Sequence, residues 1–111
     1  MFQSLFGSRS KEQILIYLNC QERGYAREIA KFFAVPVTPI QKQLESLEAQ
    51  NLLYSVEEGR TRLYSINPRY PLIKELRALL DKAVSFYPPA QREALLKDRR
   101  RPRRKGKPLE L

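Results

Sequence analysis

The fold is decided by Tyr25-Ala26-Arg27-Glu28-Ile29-Ala30-Lys31-Phe32-Phe33-Ala34-Val35-Pro36-Val37-Thr38-Pro39-Ile40-Gln41-Lys42-Gln43-Leu44-Glu45-Ser46-Leu47-Glu48. Ile29, Ala30 and Phe33 recur at helical spacing and predict a short helix over about 26–33. Ala34-Val35-Pro36-Val37 then leaves no length for a loop, only for a tight turn. A helix start follows. Thr38 suits the cap, Pro39 the first helical position, and Gln41 lies three residues beyond Thr38. The start falls there or a residue or two earlier, at Pro36. Ile40, Leu44 and Leu47 form the buried stripe of this helix, and Asn51 suits a left-handed cap at its end.

Upstream, Ser10 and Gln13 fit a capping box, and Ile14, Leu15 and Leu18 supply the apolar face of a helix running to about Cys20. Gly24 marks a break, and Tyr25 has room for one short β-bridge. Phe2, Leu5 and Phe6 are too apolar for a free end and are expected to pack on the domain or on a second subunit. Downstream the period changes to two. Leu52–Val56 and Arg62–Ile66 alternate apolar and polar residues around Glu57-Glu58-Gly59-Arg60-Thr61, which predicts a β-hairpin. A further helix is expected over about 71–84. Its apolar face is broader than a small core requires, so Leu72, Leu76, Leu79 and Leu80 are candidates for a homodimer interface, with Phe86-Tyr87 over the seam. The expected division is a domain over 1–84, a linker with room for a short helix over 85–96, and a basic tail expected to be disordered over 97–111.

The chain has 111 residues, 42% hydrophobic and 30% charged, enough for one modest core and too few for two. The net charge of +9 is uneven: residues 97–107 alone carry eight Lys/Arg and one Asp. A block of that kind is an expected arm for nucleic acid, with Arg99, Arg100, Arg101, Arg103 and Arg104 on phosphates. Histidine is absent and Cys20 is the single cysteine, so the usual general base and any thiolate or imidazole metal site are missing. The four glycines are isolated, and no phosphate-binding glycine loop exists. No enzyme activity, metal or cofactor is expected. Cys20, after an apolar helix, reads as a small packed side chain. No membrane span or signal peptide is read, and the expected location is the cytoplasm, at the nucleoid.

Two helices joined by a tight turn suit duplex DNA, because the major groove admits one α-helix while the helix before it braces the backbone. With Ile40, Leu44 and Leu47 turned inward, Thr38, Gln41, Lys42, Glu45 and Ser46 point outward or flank. Gln41 suits adenine, Lys42 suits guanine or a phosphate, and Thr38 suits a phosphate or a thymine methyl. Glu45 is awkward near phosphates unless it accepts from cytosine. In the hairpin, Arg60, Thr61 and Arg62 offer two guanidiniums and a hydroxyl to phosphates or a narrow minor groove.

Leu5-Phe6-Gly7-Ser8-Arg9, the segments Tyr25–Ala30 and Val37–Glu48, the Asn51-Leu52-Leu53 continuation and the Glu58-Gly59-Arg60 turn together resemble prokaryotic winged helix-turn-helix regulators of the ArsR-like class. The resemblance covers about residues 5–84. It implies a mainly α fold with a small β-hairpin wing, a homodimer built from terminal helices, and a sequence-specific transcriptional regulator of double-stranded DNA. It implies contacts from Val37, Thr38, Gln41 and Lys42 on the recognition helix and from Arg60 and Arg62 on the wing. The chain lacks the cysteine-rich motif of the family's metal sensors, and it has Asn51 where the class often has glycine. Similar small domains occur beside or fused to nucleotidyltransferases, so a module that pairs with such a protein partner is one alternative. A nonspecific nucleic-acid binder acting through its tail is the other.

Overall fold

The computed structural model describes residues 1–97. At its centre lies α2 (Arg9–Gln21), whose residues from Ile14 to Gln21 are all buried. Around it pack α1 (Gln3–Phe6), α3 (Ala26–Phe33), α4 (Val37–Ala49), α5 (Ile73–Val84) and α6 (Pro89–Leu96), with a sheet of β1 (Arg23–Gly24), β2 (Leu53–Glu58) and β3 (Thr61–Ile66). Because α2 is enclosed, its polar residues have partners inside the protein. Glu12 accepts hydrogen bonds from the Phe2 amide at 2.8 Å and from the Tyr87 hydroxyl. The Asn19 amide donates to Asp81 at 2.7 Å, and Asn19 Oδ1 accepts from Arg77 at 3.2 Å. Gln21 donates to the carbonyls of Leu95 at 2.7 Å and Lys97 at 3.1 Å. Each of the three polar residues thus holds a different segment: the N-terminus with the loop before α6, then α5, then α6.

The N-cap of α2 is Ser8, not Ser10. Ser8 is extended and its side chain accepts from the Lys11 amide at 3.1 Å, whereas Ser10 already lies inside the helix. The left-handed Gly7, φ 98°, ends α1 and turns the chain into that cap. Helix α3 has the predicted bounds. Helix α4 begins at Val37 with Pro36 as its cap, so Thr38 falls in the first turn rather than at the cap. Asn51 takes the left-handed conformation after α4, φ 65°.

The sheet is antiparallel in the order β1-β3-β2. Its β2–β3 register runs from Leu53↔Ile66 to Glu58↔Thr61 and leaves Gly59-Arg60 as a two-residue turn. The bridge expected at Tyr25 falls instead on Arg23 and Gly24, which pair with Ser65 and Tyr64. Leu53, Tyr64 and Ile66 share the inner face and are buried. Gly24 is on that face, where a Cβ would stand 2.8 Å from the ring of Tyr17. The break therefore answers a packing need.

Residues 85–96, expected as a linker with room for a short helix, include α6 and pack into the same core, with Tyr87 and Leu95 buried beside Leu80, Ala83 and Val84. Expectations for the tail beyond Lys97 lie outside the described residues. The architecture, mainly helical with a small three-stranded antiparallel sheet, is that of a winged helix-turn-helix.

Candidate nucleic-acid interface

The tight turn Ala34–Pro36 is made by a left-handed Ala34, φ 56°, whose amide closes α3 on the carbonyls of Ala30 and Lys31. This geometry sets α4 across the end of α3 and brings the first turns of α4 beside the wing, β2 and β3 with their turn. Between them lies an open concavity of about 750 Å³. Its lining includes Val37, Thr38, Gln41 and Lys42 from α4 and Arg60, Thr61 and Arg62 from the wing. The seven residues expected as contacts on these two elements therefore line one groove, whereas Glu45 and Ser46, also read as outward or flanking on α4, are not part of its lining.

The groove also draws in residues that sequence reasoning missed. Tyr25, Ala26, Arg27 and Glu28 from the start of α3 line it, as does Tyr64 from β3. Helix periodicity marks the apolar side of α3 and does not say which neighbour its exposed side faces. The helix-turn-helix arrangement itself was the available signal, since the first helix braces beside the second. Among the ionisable lining residues, Arg27, Lys42, Arg60 and Arg62 are cationic, and only Glu28 is acidic. The Glu28 carboxylate accepts from the Tyr25 amide at 3.1 Å, a contact that closes the first turn of α3. The groove consequently presents a positive face to a ligand.

Side-chain bonds connect the two walls. Arg62 Nε donates to Ser55 Oγ at 3.0 Å, and Ser55 donates in turn to Glu48 on α4 at 2.8 Å. The wing is thereby tied to α4 through a serine. Gln41 Nε2 donates to Glu45 Oε2, one turn along α4, at 3.0 Å. Burial raises the pKa of the Tyr64 phenol above its ordinary value, while a hydrogen bond with the Gln41 side chain acts in the opposite direction. Thr61 donates to the Glu58 carbonyl at 3.0 Å across the turn. Gly59 takes φ 63°, and Arg60 beside it is exposed at the tip.

The other predicted site residues separate by burial. Leu72 and Leu79 on or beside α5 are 57% and 41% exposed, and Phe86 is 57% exposed. Leu76 is half-buried against the core, and Leu80 is fully buried within this one chain. Leu80 is therefore a core residue and not surface available to a partner, because its turn of α5 faces α2. Tyr87, expected with Phe86 over a seam, is buried on Glu12. Cys20 is buried, as its reading as a packed side chain required. Arg99, Arg100, Arg101, Arg103 and Arg104 lie outside the described residues. Among the described residues no group of three His, Cys, Asp or Glu side chains is placed to hold a metal ion, and no helix is long and apolar enough to cross a membrane.

No family model matches the chain, and no curated protein matches it in sequence. Among solved structures the chain is similar to the adhesin competence repressor AdcR of Streptococcus pyogenes. The TM-score is 0.55 and the identity 17%, over 79% of this chain and 73% of that one. The likeness supports the winged helix-turn-helix fold and leaves the ArsR-like assignment to the sequence motifs.

Proposed function

We propose that the chain is a sequence-reading, double-stranded DNA-binding transcriptional regulator of ArsR-like character, without enzymatic activity. The observation that carries this reading is the positive groove between α4 and the wing. It gathers Val37, Thr38, Gln41 and Lys42 of the recognition helix with Arg60, Thr61 and Arg62 of the wing. In this reading α4 enters the major groove, and α3 braces beside it. The wing takes phosphates or the neighbouring minor groove, and the basic tail, with Arg99 to Arg104, adds contacts to the backbone. The similarity to a repressor of the same fold supports it. The protein acts in the cytoplasm at the nucleoid, and it pairs as a homodimer through the exposed part of α5, Leu72 and Leu79, with Leu76 flanking and Phe86 at the edge.

The test is a titration of the full chain and of residues 1–97 against a duplex from the gene's own upstream region, with a scrambled duplex as control, across a salt series. The cut follows Lys97 because Gln21 bonds its carbonyl. Each phosphate neutralised contributes about −0.9 to the slope of log K against log salt. The expected result is that residues 1–97 keep the preference for the native duplex and lose only part of the slope. Loss of all binding with the tail, and no preference in either form, would refute the regulator and favour a nonspecific binder.

A further inference from the structure

In the hairpin, Glu57 stands directly opposite Arg62, and Ser55 directly opposite Tyr64. Opposed residues share a face, so Ser55 and Arg62 lie diagonally on the inner face that carries Tyr64. Arg62 is exposed and lines the groove, yet its Nε is already committed, donating to Ser55 Oγ at 3.0 Å. Ser55 has one hydroxyl proton and gives it to Glu48 Oε2 at 2.8 Å, so toward Arg62 its oxygen is purely an acceptor. A guanidinium offers its N–H donors in a rigid fork with two bidentate edges: Nε with one Nη, and the two Nη together. The bond to Ser55 closes the first edge and leaves the second for a ligand. Its acceptor is a neutral hydroxyl, so the guanidinium keeps its charge. A direct pair with the carboxylate of Glu57 would have spent that charge within the wing.

We propose that Ser55 and Glu48 are positioning residues for Arg62, holding its Nε so that its two Nη groups take one DNA phosphate end-on. The inference rests on the duplex-DNA reading and deepens it. Neither Ser55 nor Glu48 lines the groove, so both act through Arg62. A free arginine loses rotamer freedom when it binds, and that loss weakens the contact. Here the side chain is held before any ligand arrives, by a hydroxyl whose own direction Glu48 sets. Two parallel N–H bonds to two phosphate oxygens are the strong arrangement for arginine, and the open edge supplies them. The bonds also couple the two walls of the groove. The helix that carries Gln41 and Lys42 fixes, through Glu48, where the wing places its guanidinium.

The experiment is titration of the full chain with the duplex from the gene's own upstream region and its scrambled control, across a salt series. Ser55→Ala and Glu48→Ala are each measured alone and combined with Arg62→Ala, and circular dichroism checks the fold. Ser55→Ala changes no charge, so any loss of affinity it causes is not a loss of net attraction. It is expected to weaken binding of the native duplex roughly 2- to 10-fold, the range of one hydrogen bond. Arg62→Ala is expected to reduce the salt slope by about 0.9 and to abolish the effect of Ser55→Ala. Glu48→Ala removes a negative charge and is expected to help binding only beside Arg62→Ala, where no arginine is left to misplace. Equal effects of Ser55→Ala or Glu48→Ala with and without Arg62 overturn this inference alone, because residues that merely support the wing act in both backgrounds. Wild-type affinity in Ser55→Ala does the same, as does an unchanged salt slope in Arg62→Ala. No preference of the wild type for the native duplex overturns the sequence-reading function, and this inference with it.

Discussion

Gly24 and Tyr17 meet where β1 crosses α2, and the space between them belongs to a ring. A Cβ on Gly24 would stand 2.8 Å from Tyr17 Cε1, and that ring is itself held edge-on by Phe32 at 5.6 Å. Gly24→Ala is expected to destabilise the fold by about 1–3 kcal/mol, the usual cost of overpacking. A lower urea midpoint at constant slope would show it. Tyr87 offers a second test. Burial and its bond to Glu12 raise its pKa well above the ordinary 10.0. The folded protein thus holds this proton more tightly than the unfolded chain does. The stability it contributes is complete below pH 10.0 and falls as the pH rises above that value. Unfolding series from about pH 8 to pH 11 should show a shallower alkaline loss in Tyr87→Phe. Some loss persists, because Tyr64 is shifted in the same direction. An identical slope in the two proteins would place the alkaline loss elsewhere.

The elements most legible in the sequence were those whose periodicity or turn chemistry is local. Helix α3 was placed by Ile29, Ala30 and Phe33, and the hairpin by its alternation around Gly59. Ser8 was missed in favour of Ser10 because both are serines near a helix start, and only backbone conformation separates a cap from a first turn. Glu12, Asn19 and Gln21 could not be read as buried, since a polar residue on a helix gives no sign that the helix is enclosed on every side. The same limit applies to α5. Its apolar stripe was legible, but its division was not: Leu80 faces the core while Leu72 and Leu79 face out. A test of association must respect that division. Leu72→Glu with Leu79→Glu is expected to leave thermal stability nearly unchanged and to yield monomers in sedimentation, with a dimer that survives both changes placing the interface elsewhere. Leu80→Ala instead should cost about 2–5 kcal/mol, as cavity formation does in a core.

At the scale of the whole molecule, the groove was legible in its two predicted walls and not in its third. Val37 to Lys42 and Arg60 to Arg62 were found from motif and chemistry, whereas Arg27 and Tyr64 join them only through the packing of α3 and β3. The enclosure of α2 carries the last consequence, which concerns the order in which the protein opens. The buried stretch of α2 from Ile14 to Gln21 becomes accessible only when several of its neighbours have left. Its central amides, from Ile14 to Leu18, should exchange hydrogen for deuterium only through global unfolding, whereas the amides at the Gly59-Arg60 tip should exchange through local fraying. Exchange of the α2 amides well below the global unfolding free energy would contradict this ranking. If it holds, the wing can adjust its shape, under the proposed function to that of a duplex, while the interior stays closed, and sequence change at the tip is free to accumulate without eroding the fold.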